Sequence, residues 1–182
     1  MLYDKTNKME FTNSEIDVKS LPSVDNILFT SLDKNYKNQL KAESILFVIF
    51  LIGCVSLFLI FSSFRMPWIW TALIIFITFI VSACLIWIGF HTWQYRGYAL
   101  RQHDILFKTG IWFKRTTVVA FNRIQHVEIQ QGPFDRFFSV SSLILYTAGG
   151  SASDLTIPGL HPDEASKLKD HVTRKSSRDE EE

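Results

Sequence analysis

Four side chains are of the kind that move protons or hold metals: His103 beside Asp104, and His126 two residues before Glu128. A spacing of two on a strand puts His126 and Glu128 on one face, so a fold joining the two pairs would make an acid–base or metal cluster. The chain contains no HExxH, no paired-cysteine motif, no Walker A loop and no nucleophile elbow to complete such a centre. The histidines therefore read as structural or surface residues. Gly149-Gly150-Ser151 has the composition of a phosphate loop, but no lysine and no strand-to-helix step follow it, so it reads as a hairpin turn. Cys54 and Cys84 lie in apolar surroundings without polar neighbours and read as small packing residues. The expectation is a chain with no catalytic residue, no cofactor and no metal.

The remaining chemistry is that of charge and apolar contact. Lys114 and Arg115, with Lys108 across an expected hairpin, form a cationic patch suited to anionic lipid headgroups. The competing reading is a solvated hairpin whose charges discourage edge pairing. Phe134, Arg136, Phe137 and Phe138 make a second candidate surface, for a protein partner. The formal net charge of the 182 residues is only +1, which gives no basic field for nucleic acid.

The elements that must position these groups are dominated by two uninterrupted apolar runs, Ile45 to Phe64 and Trp68 to Phe90, separated by Arg65, Met66 and Pro67. As helices they reach roughly 30 and 35 Å, enough to cross a hydrocarbon core about 30 Å thick. Neither holds a charged residue, which argues against an ion path or proton relay and for an anchor. Thr71, Thr78, Ser82 and Gly89 form a stripe of small residues on the second span, and Gly53, Ser56 and Ser63 a looser one on the first. These stripes are the expected seam, with hydroxyls bonding across it. Lys34, Lys37, Lys41, Arg96 and Arg101 flank the hairpin on one side and Arg65 alone on the other, so both termini are expected in the cytoplasm.

Residues 1–30 read as a flexible tail and 31–43 as a juxtamembrane amphipathic helix capped by Ser31. The hairpin occupies 44–92, with spans at 45–64 and 68–90. Residues 93–175 change character to short alternating segments: strands near 95–101, 104–108, 111–121, 124–131, 142–148 and 154–157, with a short turn at 134–138 and a closing helix from Pro162. Gln125, Val127 and Ile129 are expected on one face of their strand. Residues 176–182, rich in acidic and polar side chains, read as a disordered tail.

Four motifs occur in order in this domain: Asn122-Arg123-Ile124-Gln125-His126-Val127-Glu128; Gln131-Gly132-Pro133 with Arg136 and Phe137; Thr147-Ala148-Gly149-Gly150; and Ile157-Pro158-Gly159-Leu160. Residues 90 to 173 thereby resemble the bacterial pleckstrin-homology-like, membrane-flanked (YdbS-like) domain family. The resemblance implies an α+β fold, a two-helix transmembrane hairpin followed by a small PH-like antiparallel barrel with a C-terminal helix. It also implies the bacterial cytoplasmic membrane, and a larger relative with several copies of the domain as a partner. Phe138-Ser139-Val140 departs from the Phe-Gly-Leu step common in that family. The function so read is a non-enzymatic, membrane-anchored interaction module meeting membrane lipids, another membrane protein or, through sheet edges, a second copy of itself. The alternative is a regulatory or accessory subunit of a membrane enzyme or transporter, with His103, Asp104, His126 and Glu128 in a pocket.

Overall fold

The computed structural model describes residues 27–62, 67–150 and 153–179. The expected tail up to residue 26, the seam residue Ser63, the turn residues Arg65 and Met66, Ser151 and the final glutamates lie outside these. The hairpin consists of α1 (Lys34–Ser62) and α2 (Trp68–His91). Only 6% and 11% of their most apolar stretches are buried by the rest of the chain. Phe50, Phe61, Trp68 and Phe79 stand outward, a surface that water would not tolerate and that hydrocarbon accepts.

The amphipathic segment and the first span are one 29-residue helix rather than two elements. Ser31 does not cap it, because Ser31 is already paired in a strand. Asp33 does so instead, its Oδ1 accepting the Asn35 N–H at 2.7 Å. In the seam, Ser44, Val48, Leu51, Val55, Leu59 and Ser62 of α1 turn inward, at spacings of three or four residues. Thr71, Thr78, Ser82 and Gly89 face them from α2, whereas Gly53 lies open with no atom within 4 Å of where a Cβ would stand. Among the described residues no hydroxyl bridges the helices. Ser44 and Thr78 each donate at 2.8 Å to the carbonyl four residues back in their own helix, which satisfies them without a partner.

After a 3-10 turn at Thr92–Tyr95 the chain enters β2 (Gly97–Leu100), β3 (Asp104–Thr109) and β4 (Arg115–Ala120). A second 3-10 turn, Phe121–Arg123, leads to β5 (Ile124–Gln130), the short helix α3 (Pro133–Phe137), β6 (Ser141–Thr147), β7 (Leu155–Leu160) and α4 (Pro162–Asp179). Two antiparallel sheets result: β2-β3-β4 with one further strand beside β2, and β5-β6-β7. The first strand, β1 (Thr30–Ser31), comes from the other side of the hairpin: Thr30 pairs with Tyr98 and Ser31 with Gly97. The domain is therefore assembled from chain on both sides of the membrane helices, and the expected tail ends in a strand.

The core between the sheets holds Ile105, Phe107, Val119, Phe121, Val127, Leu143, Leu145 and Ile157, with Ala165, Leu168 and Val172 of α4 closing it. A bulge at Gln125 alters the expected facing of β5: Ile124 and Val127 are both buried, and Gln125 is exposed. β7 runs past Pro158 to Leu160, which an edge strand tolerates because the missing N–H falls where the ladder shifts register. β4 begins only at Arg115, since Gly110, at φ 112°, opens a tight loop through Lys114. α4 continues through Asp179 rather than ending at 175, held where Ser176 Oγ donates to the Ile124 carbonyl at 2.8 Å. Ser139 has φ 53°, a left-handed conformation that favours glycine.

Tyr98 joins the first sheet to α4 by donating to Glu164 Oε1. Burial, and then that carboxylate, raise the phenol above its ordinary value of 10.0. The native state thus keeps this proton at pH values where the unfolded chain loses it. The contribution is complete below pH 10 and lost as pH rises above it. Melting temperature in detergent should fall more steeply above pH 10 for the natural protein than for Tyr98→Phe, and identical slopes would refute the assignment.

Candidate functional site

The domain-proximal ends of the two apolar helices meet where Gly89 lies against Ser44, so close that a Cβ on Gly89 would fall 1.8 Å from Ser44 Oγ. Directly below, the chain docks onto the domain. Asp33 N–H donates to the Gly159 carbonyl at 2.9 Å, and Trp93 Nε1 donates to the Leu32 and Asp33 carbonyls at 3.3 and 3.2 Å. Gln39 Nε2 reaches Glu43 at 2.8 Å and Asp135 of α3 at 2.7 Å, and Arg96 donates to the Tyr36 hydroxyl. A collar of cations rests on aromatic rings at this level: Lys41 on Phe90 at 4.6 Å, Lys37 on Trp93 and Lys108 on Phe29, each at 5.4 Å.

Beside the collar is a groove of about 370 Å³ lined by β1, the 3-10 turn and the β3–β4 hairpin, with Arg96, Lys108 and Lys114 as its cations. Lys108 pairs across from Thr116, and Lys114 lies in the loop just before β4, where both lysines line the groove. Arg115, the third member of the expected cationic patch, pairs with Thr109 and does not line this groove. Arg96 was not among the expected headgroup contacts. It enters through β1, whose pairing across the hairpin leaves no local pattern in the sequence.

The second candidate surface is α3. Gly132 N–H donates to Asp135 Oδ2 at 2.8 Å, which starts the helix after Pro133 fixes its first turn. Phe134 and Phe137 stand exposed and Arg136 is open to solvent. Phe138 turns inward instead and packs on the core, edge to face with Phe137 at 5.1 Å.

The acid–base residues are not brought together. Asp104 is held by Arg101 through two contacts of 2.6 Å, in the four-stranded sheet. His126 stacks on Tyr146 at 5.9 Å, and Glu128 accepts from the Tyr146 hydroxyl at 3.1 Å, in the other sheet. Among the described residues no three His, Cys, Asp or Glu side chains converge.

A bilayer-length hairpin bearing a two-sheet domain closed by a C-terminal helix, with a cationic groove where the helices emerge, is the architecture of a membrane-associated PH-domain protein. The profile of the family described as bacterial PH domain matches residues 44–176, and the chain belongs to that family. Over 77 residues it is 31% identical to the UPF0699 transmembrane protein YdbS of Bacillus subtilis (strain 168), covering 42% of this chain and 46% of that relative. The chain thus spans about half the length of the curated relative it matches. No solved structure gives a significant match.

Proposed function

We propose that this membrane protein is a non-catalytic module of the bacterial cytoplasmic membrane, with both termini inside. Its groove meets anionic headgroups, and its α3 surface contacts another membrane protein. The observation that carries the lipid half is the convergence of Arg96, Lys108 and Lys114 on one groove beside the cytoplasmic helix ends. Each cation near an anionic leaflet is worth about 1 kcal/mol, so three act together without needing a deep pocket. The non-catalytic half rests on the dispersal of His103, Asp104, His126 and Glu128 between two sheets. The partner half rests on Phe134 and Phe137, aromatic side chains left exposed beside the membrane exit by α3.

The Lys108→Glu/Lys114→Glu double variant, in nanodiscs with and without anionic phospholipid, tests the lipid half. Hydrogen exchange over 94–114 should slow with anionic lipid in the natural chain and not in the variant, a loss of about 2 kcal/mol or more. Equal exchange in neutral and anionic discs would rule the headgroup contact out. Crosslinking in native membranes should recover a second membrane protein from the natural chain and much less from Phe134→Ala/Phe137→Ala. Recovery of this chain alone, at good depth, would set the partner reading aside.

A further inference from the structure

We infer that the tip of the β3–β4 hairpin, Trp112 and Phe113, seats in the headgroup–acyl boundary of the leaflet from which α1 and α2 emerge, giving the domain a third point of contact with its own membrane. This rests on the reading that the two helices span a bilayer.

The tip is built to present these rings rather than to bury them. Gly110 takes φ 112°, and a Cβ there would lie 1.9 Å from the Phe113 carbonyl, so the loop closes tightly behind the two aromatics. Trp112 is left 76% exposed and Phe113 91% exposed.

Its height relative to the membrane is fixed by a contact. The Trp112 ring meets Trp87 of α2 edge-on, centroids 6.5 Å apart. Trp87 lies two residues on the membrane side of Gly89, and Gly89 is level with Ser44, the residue before the first apolar run. The tip therefore stands level with the start of the apolar run, where indole and phenyl rings partition into an interface. Lys108 and Lys114 lie behind it in the groove, and Arg115 flanks it. Apolar rings leading and cations following is the charge order of a surface that enters an anionic leaflet. The lipid surface is thus the occupant that both chemistry and height select.

Spin labels at single cysteines in the full chain test this, in a Cys54→Ala/Cys84→Ala background reconstituted into phosphatidylethanolamine–phosphatidylglycerol liposomes. Labels go at Phe113→Cys, at Leu57→Cys within α1 and at Asp170→Cys on the exposed side of α4. Collision with a water-soluble nickel chelate should be at least about threefold lower at 113 than at 170, with oxygen collision raised. Trp112→Cys, read in the same way, replaces position 113 if that label disturbs the loop. A tip as nickel-accessible as 170, with 57 oxygen-accessible, would overturn the inference while leaving the span intact. A nickel-accessible 57 would remove the span and the inference with it. Protection of 113 in native membranes but not in liposomes would assign the tip to a protein partner and overturn the lipid assignment.

Discussion

Phe121→Ala should unfold the two-sheet domain at or near physiological temperature while leaving the protein in the membrane. Phe121 is fully buried at the 3-10 turn where the chain passes from one sheet to the other. Its N–H donates to the His103 carbonyl at 3.0 Å, and its ring meets the edge of His171 from α4 at 6.3 Å. Its backbone is thus tied to the turn before β3, while its ring lies in the core that both sheets share and against the closing helix. Truncating such a phenylalanine costs about 3–5 kcal/mol, against the 5–15 kcal/mol that holds a typical domain together. Insertion depends on the apolar runs of α1 and α2, which the substitution does not touch. The full-length variant should fractionate with membranes, yet its domain should be cleaved by limited proteolysis under conditions that spare the natural chain. Phe121→Leu, which keeps most of the volume, should lose less than about 1.5 kcal/mol. A loss below about 1 kcal/mol for the alanine variant would mean that the two sheets do not share this anchor.

The contrast between anchor and domain also explains which parts of the fold were legible in the sequence. The spans were legible because a bilayer imposes its demand locally: every residue from Ile45 onward must be acceptable to hydrocarbon, and composition records that directly. Strand β6 was legible because one face is buried and the alternation survives, whereas β3 and β5 were marked by their β-branched and apolar content, since β3 buries three successive residues and a bulge interrupts β5. What failed was set by contacts distant in sequence. β1 has two residues, too few to alternate, and exists because Gly97 lets the Thr30 backbone approach: a Cβ at Gly97 would lie 3.0 Å from the Thr30 carbonyl oxygen. Ser31 and Asp33 are equally good caps on paper, and strand pairing decides between them.

The candidate site follows the same rule. Lys108 and Lys114 were legible as a pair because their placement depends on the β3–β4 hairpin alone. Arg115 stands outside their groove because a one-residue step along a strand exchanges faces. Arg96 was overlooked because its groove is completed from the far side of the membrane helices. Phe138 was grouped with its exposed neighbours because a five-residue helix carries too little periodicity to mark an inward side.

That completion from the far side concentrates at one glycine. Gly159 has φ 69°, and the Tyr36 ring lies where its side chain would be: an added Cβ would stand 2.2 Å from Tyr36 Cγ. Gly159→Ala should therefore lose stability twice, about 1–2 kcal/mol for the left-handed backbone and about 1–3 kcal/mol for overpacking against a buried ring. Gly150→Ala separates the two contributions, because Gly150 has φ 79° with nothing within 4 Å, so only the backbone cost of about 1–2 kcal/mol should appear. In Gly159→Ala/Tyr36→Ala the clash has no object, and the double variant should be more stable than the sum of the single losses by about 1 kcal/mol or more. Thermal unfolding of the full chain in detergent measures all four, and strict additivity would show that the ring does not press on this glycine. The consequence reaches beyond stability. Tyr36 opens the helix that becomes the first span, so this contact is where the orientation of the domain is tied to the membrane axis. Forcing it apart should loosen the proposed hold of the groove and the hairpin tip on the leaflet even in molecules whose two sheets remain folded, because both are positioned through the same junction.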